Sequence, residues 1–153
     1  MICIRPAELF EAGILTDLAS KSEAYWGYDS DFMKKFGEVY KVTEDFLCKN
    51  TTFIISENDA IIGFYSVSTG EEECSLEYFY IDPRNIGKGY GRILCEHMME
   101  YCKKLGIKEI FAVTSPQAKE FYEKMGAVQV AEVESLLKKG RVIPKLKFSF
   151  VSE

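Results

Sequence analysis

Apolar positions recur along this chain at two different periods, and the changes between them divide it into elements. Leu9, Phe10, Ile14, Leu15 and Leu18 fall at helical spacing and predict a helix from about Ala7 to Ala24 with one face packed on a sheet. A second helix is expected over Asp31 to Tyr40, and a third follows the N-cap candidate Thr43, with Glu44 to Leu47 inside it. Short apolar runs rich in β-branched and aromatic residues predict strands at Ile2 to Arg5, Thr52 to Ser56, Ala60 to Val67 and Cys74 to Ile81. Glu57-Asn58-Asp59 marks a hairpin turn, and the polar Glu71-Glu72-Glu73 turns the chain again, so three antiparallel strands follow one another. The helical period returns from Gly89 to Leu105, with Gly106 as its stop. Glu109 to Thr114 then reads as a strand, and Pro116 to Met125 as a helix with proline in its first turn and Gly126 behind it. Strands at about Val128 to Val133 and Lys145 to Val151, separated by the loop Lys138 to Pro144, complete an α+β pattern without repeats or linkers.

Composition narrows the function classes. With 153 residues, 47% hydrophobic and 28% charged, the chain suits one domain, 1–153, with a single core. No apolar run nears the roughly 20 residues of a membrane span. Met1-Ile2-Cys3-Ile4-Arg5 lacks the basic-then-apolar order of a signal peptide, so a cytoplasmic protein without membrane attachment is expected. A net charge of −5 argues against nucleic acid as the main partner, because phosphate binding wants a basic face. The five cysteines show no CxxC or Cys/His ligand spacing, which predicts thiols and no metal site. Cys95 and Cys102 lie seven apart on one helix face and read as core rather than as an acyl-cysteine nucleophile. His97, the single histidine, sits in the same helix beside Met98 and Met99 and reads as a packing or surface residue.

The chemistry concentrates in Leu76 to Arg92, where a strand ends at Asp82-Pro83 and passes through Gly87-Lys88-Gly89-Tyr90-Gly91 into a helix. Alternate glycines let backbone approach a ligand closely, and the unpaired amides of a helix start favour an anion, so the segment reads as a pyrophosphate cradle or as a purely structural turn. A dinucleotide-binding turn would need a third glycine at position 92, where Arg92 stands, and an early βαβ unit. No segment has the glycine and lysine spacing of a P-loop.

The order of antiparallel hairpin, strand, glycine turn, helix, strand, short helix and terminal hairpin resembles the GNAT N-acetyltransferase superfamily over nearly the whole chain. The resemblance rests on two segments. Ile86-Gly87-Lys88-Gly89-Tyr90-Gly91 is similar to the family's Gln/Arg-x-x-Gly-x-Gly/Ala signature, with Ile86 at its first position. Ser115-Pro116-Gln117-Ala118-Lys119-Glu120-Phe121-Tyr122 is similar to the family's Pro-Asn-Ala-x-x-Phe-Tyr segment, with Gln117 in place of Asn. The resemblance implies an α/β/α sandwich around a mixed, mostly antiparallel sheet of about seven strands. It also implies acetyl-CoA, or coenzyme A after transfer, as cofactor, with direct attack by a primary amine of a small molecule or protein in a ternary complex. A non-catalytic acyl-CoA-binding module of the same fold is the alternative that Ile86 and Gln117 leave open, and another acyl donor differs only in pocket volume and charge.

Direct transfer needs a base for the ammonium and an acid for the departing thiolate. Glu77 is the candidate base, placed by alternation on the face of Ser75, Phe79 and Ile81. Tyr122 is the candidate acid, because the family sets this tyrosine beside the thioester. The resemblance further implies a strand bulge that frees amides near Phe79, Tyr80 and Ile81 for the pantetheine arm. It assigns the phosphates to the backbone of Ile86, Gly87, Lys88, Gly89, Tyr90 and Gly91, with Lys88, Arg92 or Arg84 adding charge and Gln117 and Phe121 completing the cofactor side. Tyr25, Trp26 and Tyr28, with Arg141, are the expected wall of the acceptor pocket, where Asp29, Asp31 and Glu77 would suit a cation. A homodimer through the late strands is compatible with the pattern.

Overall fold

A computed structural model describes residues 1–150 of the chain. The elements are β1 (Ile2–Pro6), α1 (Ala12–Ala24), α2 (Ser30–Val39), α3 (Glu44–Lys49), β2 (Thr51–Glu57), β3 (Ala60–Thr69), β4 (Cys74–Ile81), α4 (Tyr90–Lys104), β5 (Glu109–Val113), α5 (Pro116–Lys124), β6 (Val128–Glu134) and β7 (Val142–Ser149). They form one seven-stranded sheet in the order β1-β2-β3-β4-β5-β7-β6, antiparallel throughout except at β4 and β5. Leu94, Cys95, Met98, Cys102 and Tyr122 bury α4 and α5 against one sheet face, while Leu15, Leu18, Phe32 and Phe36 bury α1 and α2 against the other. The α+β sandwich expected from the sequence is therefore the fold, and Cys95 and Cys102 are core residues with no solvent exposure. His97 accepts or donates at Nδ1 with the Tyr65 hydroxyl at 2.9 Å, which gives it a packing role.

Several boundaries move for identifiable reasons. The predicted helical start at Ala7 is a continuation of β1, whose ladder the Ala7 amide extends to the Thr52 carbonyl at 2.9 Å. Leu9–Glu11 form a 3₁₀ turn, because the Glu11 carboxylate turns back to the Glu8 amide at 2.8 Å and to both Arg5 Nη atoms at 2.9 and 2.8 Å. The Glu57–Asp59 hairpin is as expected, with Asn58 and Asp59 at φ 50° and 67° in the left-handed region that a two-residue I′ turn requires. β7 begins at Val142 rather than Lys145 and takes in Pro144. The Pro144 carbonyl accepts from Thr114 on the β5 side, so its missing amide hydrogen falls where β5 has already ended. Val151, the predicted end of that strand, lies outside the described residues.

The junction of β4 and β5 positions the site. The two strands share a single register pair, Ser75↔Phe111, after which they part. β4 runs on to Ile81 with its other edge on β3, where a bulge puts Glu77 between the pairs Ser66↔Tyr78 and Val67↔Leu76. The bulge overturns the simple alternation expected for Glu77. Leu76, Phe79 and Ile81 face α4 and α5, Tyr78 and Tyr80 face α1 and α2, and Glu77 is the extra residue between the two phases.

Candidate active site

The parted strands open a cleft of about 540 Å³. Its floor is β4 from Leu76 to Ile81, and one wall is built by the turn and first residues of α4 (Asn85, Ile86, Gly87, Gly89, Gly91, Arg92) and by Gln117, Ala118, Phe121 and Tyr122 of α5. The other wall comes from the end of α1 (Ser22, Glu23, Trp26), from Phe36 and Tyr40, and from Ser135, Leu137, Arg141 and Ile143 around the last hairpin. The Ser22 hydroxyl donates to the Ile81 carbonyl at 2.6 Å and fixes α1 to the edge of the floor.

Glycine is required at two points of the turn. Gly87 and Gly89 have φ of 84° and 89°, and an added Cβ at either would meet no atom within 4 Å, so open space lies in front of the turn. Gly89 is the left-handed N-cap of α4, which is why the helix begins at Tyr90 and not at the glycine. Among the described residues, the amides of 87 to 92 donate to no protein acceptor, leaving a row of free N–H groups at a helix start. Gly91 serves packing instead: a Cβ there would stand 3.3 Å from the Phe121 ring.

The side chains predicted for this wall divide. Ile86, Gly87, Gly89, Gly91, Arg92, Gln117 and Phe121 line the cleft, as do Phe79, Tyr80 and Ile81 of the floor. Lys88 is exposed and does not line it, and the Tyr90 hydroxyl is taken by the Glu57 carboxylate at the β2–β3 hairpin, so these two positions face the cleft with backbone at most. Arg84 is held by Asp82 through contacts of 3.1 and 2.9 Å and is not a free charge for the turn. Burial of the pair's carboxylate is outweighed by Arg84, which holds Asp82 below the ordinary carboxylate range.

Glu77 and Tyr122 both reach the cleft. Glu77 makes no hydrogen bond or ion pair among the described residues, and desolvation raises its pKa above the ordinary range. Tyr122 packs among Phe79, Phe121 and Phe148 at ring distances of 5.6 to 5.9 Å and is only 5% exposed. Burial drives its phenol well above the ordinary value, so the hydroxyl carries its proton throughout the physiological range.

On the opposite wall the expected aromatic loop contributes unevenly. Trp26 and Arg141 line the cleft, whereas Tyr25 stands 54% exposed, edge-on to Trp26, outside it. Tyr28 is not a lining residue but a strut: its hydroxyl donates to Gln117 Oε1 at 2.8 Å and accepts from Arg141 Nη2 at 2.9 Å. Its ring stacks on Phe32 at 4.1 Å, and the Arg141 guanidinium lies 5.2 Å from both ring centres. Asp29 is spent on capping α2 through the Phe32 amide, and Asp31 lies in the first turn of that helix away from the cleft. The carboxylate that does reach this wall is Glu23, which sequence reasoning missed. Its pKa is raised by burial, with Arg141 pulling in the opposite direction. Tyr40, which also lines the cleft, was missed too, and its phenol is raised by burial and then by the charges of Glu23 and Glu77. Phe36 and Tyr40 carry the signal of an i, i+4 helix pair, but nothing local told which cavity they would line; Glu23 carries no signal of its own.

Among the described residues no helix is long and apolar enough to cross a membrane, and no three metal-ligating side chains gather. Solved structures of similar fold include an N-acetyltransferase named PaiA from Thermoplasma acidophilum in complex with coenzyme A, at TM-score 0.81, 17% identity and 98% and 99% coverage of the two chains. A GNAT-family acetyltransferase from Streptococcus pneumoniae matches at TM-score 0.76, 19% identity and 99% and 100% coverage. A putative acetyltransferase from Salmonella typhimurium with its cofactor acetyl-CoA matches at TM-score 0.71, 17% identity and 100% and 96% coverage. A comparison with curated proteins finds no match. Residues 19–127, which hold the glycine turn, the parted strands and the Phe121-Tyr122 helix, match the acetyltransferase (GNAT) family. The chain belongs to the GNAT family of acetyltransferases.

Proposed function

We propose that this protein transfers an acetyl group from acetyl-CoA to a primary amine by direct attack within a ternary complex. The observation that carries the reading is the row of free amides at 87 to 92 beside the parted β4 and β5. The fit is chemical. A pyrophosphate needs several donors converging without intervening side chains, and the open space in front of Gly87 and Gly89 provides that. The ligands of the Thermoplasma and Salmonella proteins, coenzyme A and acetyl-CoA, support the same assignment.

The phosphates would be held by the amides from Gly87 to Arg92, with Ile86, Gln117 and Phe121 flanking them and the Arg92 side chain adding charge. The stretch Phe79, Tyr80 and Ile81, beyond the last β5 pair, would take the pantetheine arm, with the Ile81 carbonyl already held by Ser22. Bound acetyl-CoA supplies a thioester whose C–S bond breaks as the N–C bond to the acceptor forms. Glu77 takes the proton of the acceptor ammonium, a role suited to an unpaired carboxylate whose raised pKa brings its basicity nearer to neutral. Tyr122, kept protonated by burial, donates to the departing sulfur. Trp26 and Arg141, braced by Tyr28 with Tyr25 outside, form the acceptor's wall.

Titration calorimetry with acetyl-CoA, followed by thiol release over a panel of amines, tests the reading. Heat of binding with thiol release is expected. No heat at submillimolar acetyl-CoA overturns the cofactor assignment, and tight binding without turnover of any amine favours a non-catalytic acyl-CoA-binding module.

A further inference from the structure

The acceptor wall carries an opposite-charge pair that does not close on itself. Arg141 and Glu23 both line the cleft, and the charge of Arg141 is felt at Glu23, yet no Arg141 nitrogen lies within 4.0 Å of a carboxylate among the described residues. The reason is visible. Tyr28 accepts from Arg141 Nη2 at 2.9 Å while its own hydroxyl hydrogen is engaged by Gln117, and the rings of Tyr28 and Phe32 lie against the guanidinium at 5.2 Å. The guanidinium is thus fixed before any ligand arrives, and among the described residues most of its donors are unused and the Glu23 carboxylate makes no hydrogen bond. A guanidinium and a carboxylate on one wall of a cleft, with no ion pair between them, are the complement of a zwitterion. Glu77 belongs to another part of the cleft: it projects from the β4 bulge of the floor, whereas Glu23 comes from the end of α1 and Arg141 from the last hairpin.

We propose that the acceptor is a free diamino carboxylic acid, whose α-carboxylate binds Arg141, whose α-ammonium binds Glu23, and whose ω-amine is acetylated beside Glu77. The assignment rests on the acetyltransferase reading above. It follows from placement: the two charges of an α-amino acid head match the two residues of the acceptor wall, which leaves the distal amine for the carboxylate on the floor. In the transfer the ω-ammonium loses one proton to Glu77, the free amine forms the N–C bond to the acetyl carbon as the C–S bond breaks, the sulfur leaves as a thiol with the hydrogen of Tyr122, and the second proton of the new amide nitrogen returns to the Tyr122 phenolate. A lysine side chain within a polypeptide lacks both head charges and would be a poor acceptor.

The test compares lysine and ornithine with three analogues: 1,5-diaminopentane, which lacks the carboxylate, 6-aminohexanoate, which lacks the α-ammonium, and pentylamine, which lacks both. Relative kcat/KM should fall about tenfold or more for each missing charge. Mass spectrometry of the lysine product should place the acetyl group on the ω-nitrogen. In Arg141→Gln the advantage of lysine over 1,5-diaminopentane should disappear, and in Glu23→Gln the advantage of lysine over 6-aminohexanoate should disappear. Equal kcat/KM for pentylamine and lysine, an α-N-acetyl product, or a uniform loss over all acceptors in both variants overturns the proposal while leaving the acetyltransferase reading intact. Binding of acetyl-CoA without turnover of pentylamine or any other amine overturns both.

Discussion

The side of the cleft proposed for the donor is made largely of backbone, and the side proposed for the acceptor of side chains. On the donor side, one run from Leu76 to Arg92 supplies strand edge, turn and helix start, and α5 closes over it. On the acceptor side, Glu23, Tyr40, Glu77 and Arg141 arrive from α1, the end of α2, the β4 bulge and the turn before β7, and Tyr28 bonds to residues 89 and 113 positions away. A site of backbone amides tolerates Ile86 where the family signature carries a charged or amide residue, because any non-proline amide donates equally. A site of side chains changes its ligand with each residue. The GNAT fold and its cofactor are therefore compatible with wide sequence divergence, as in the Thermoplasma structure of similar fold at 17% identity, whereas the proposed acceptor wall depends on the particular side chains of this chain.

Substitution at Glu77 should give the largest effect and breaks the comparison at its weakest point, since Glu77 belongs to the floor that both sides share. In Glu77→Gln, kcat/KM for the acceptor should fall by about 10³ with acetyl-CoA affinity unchanged. The sign of the pH dependence follows from the raised pKa. Below it Glu77 is protonated and cannot accept a proton, so the wild-type rate climbs as pH rises through that pKa and then levels. In the variant the plateau disappears, and the rate tracks the fraction of free amine up to the acceptor's own pKa. An unchanged pH profile would remove Glu77 from the reaction. Tyr122→Phe should follow, lowering kcat by about 10² while leaving coenzyme binding within error by calorimetry. The effect should be smaller because a thiolate departs without full protonation.

Gly89→Val probes the donor side alone. At φ 89° a β-branched residue costs about 1–2 kcal/mol or shifts the turn. Dissociation of acetyl-CoA should weaken about tenfold, with the acceptor KM unmoved. A matched loss in acceptor affinity would mean that the two sides are not separable.

The same division governs what the sequence revealed. The turn, its glycines and the helix start are contiguous, and their chemistry is written in two residues, Gly87 and Gly89, whose conformations only glycine adopts easily, so the turn was legible. Glu77 was found as a residue, but simple alternation does not place it, because alternation assumes an unbroken pleat and the bulge inserts one residue at that position. Arg84 is not the free charge expected, because Asp82 holds its guanidinium, whereas the bond of the Tyr90 hydroxyl to Glu57 leaves untouched the backbone role expected there. Glu23 was missed because a carboxylate late in a helix has no local mark of function; only the packing of α1 on Ile81, through Ser22, turns it into the cleft.

Tyr28→Phe sharpens the comparison most finely, with the smallest effect. The substitution keeps the ring stacked on Phe32 at 4.1 Å and deletes one hydroxyl, so Arg141 loses its brace and Gln117 its donor. Loss of such a half-exposed hydrogen bond is worth about 1 kcal/mol, or roughly fivefold in an equilibrium. If the strut serves the acceptor side, that factor should appear in the acceptor KM, with acetyl-CoA affinity unchanged, because the free amides of 87 to 92 do not depend on it. If Gln117 instead needs Tyr28 to hold its place on the cofactor wall, calorimetry should register the same factor in acetyl-CoA binding. The hydroxyl would then be the one point at which a backbone site and a side-chain site are joined, and filling the first would preorganise the second.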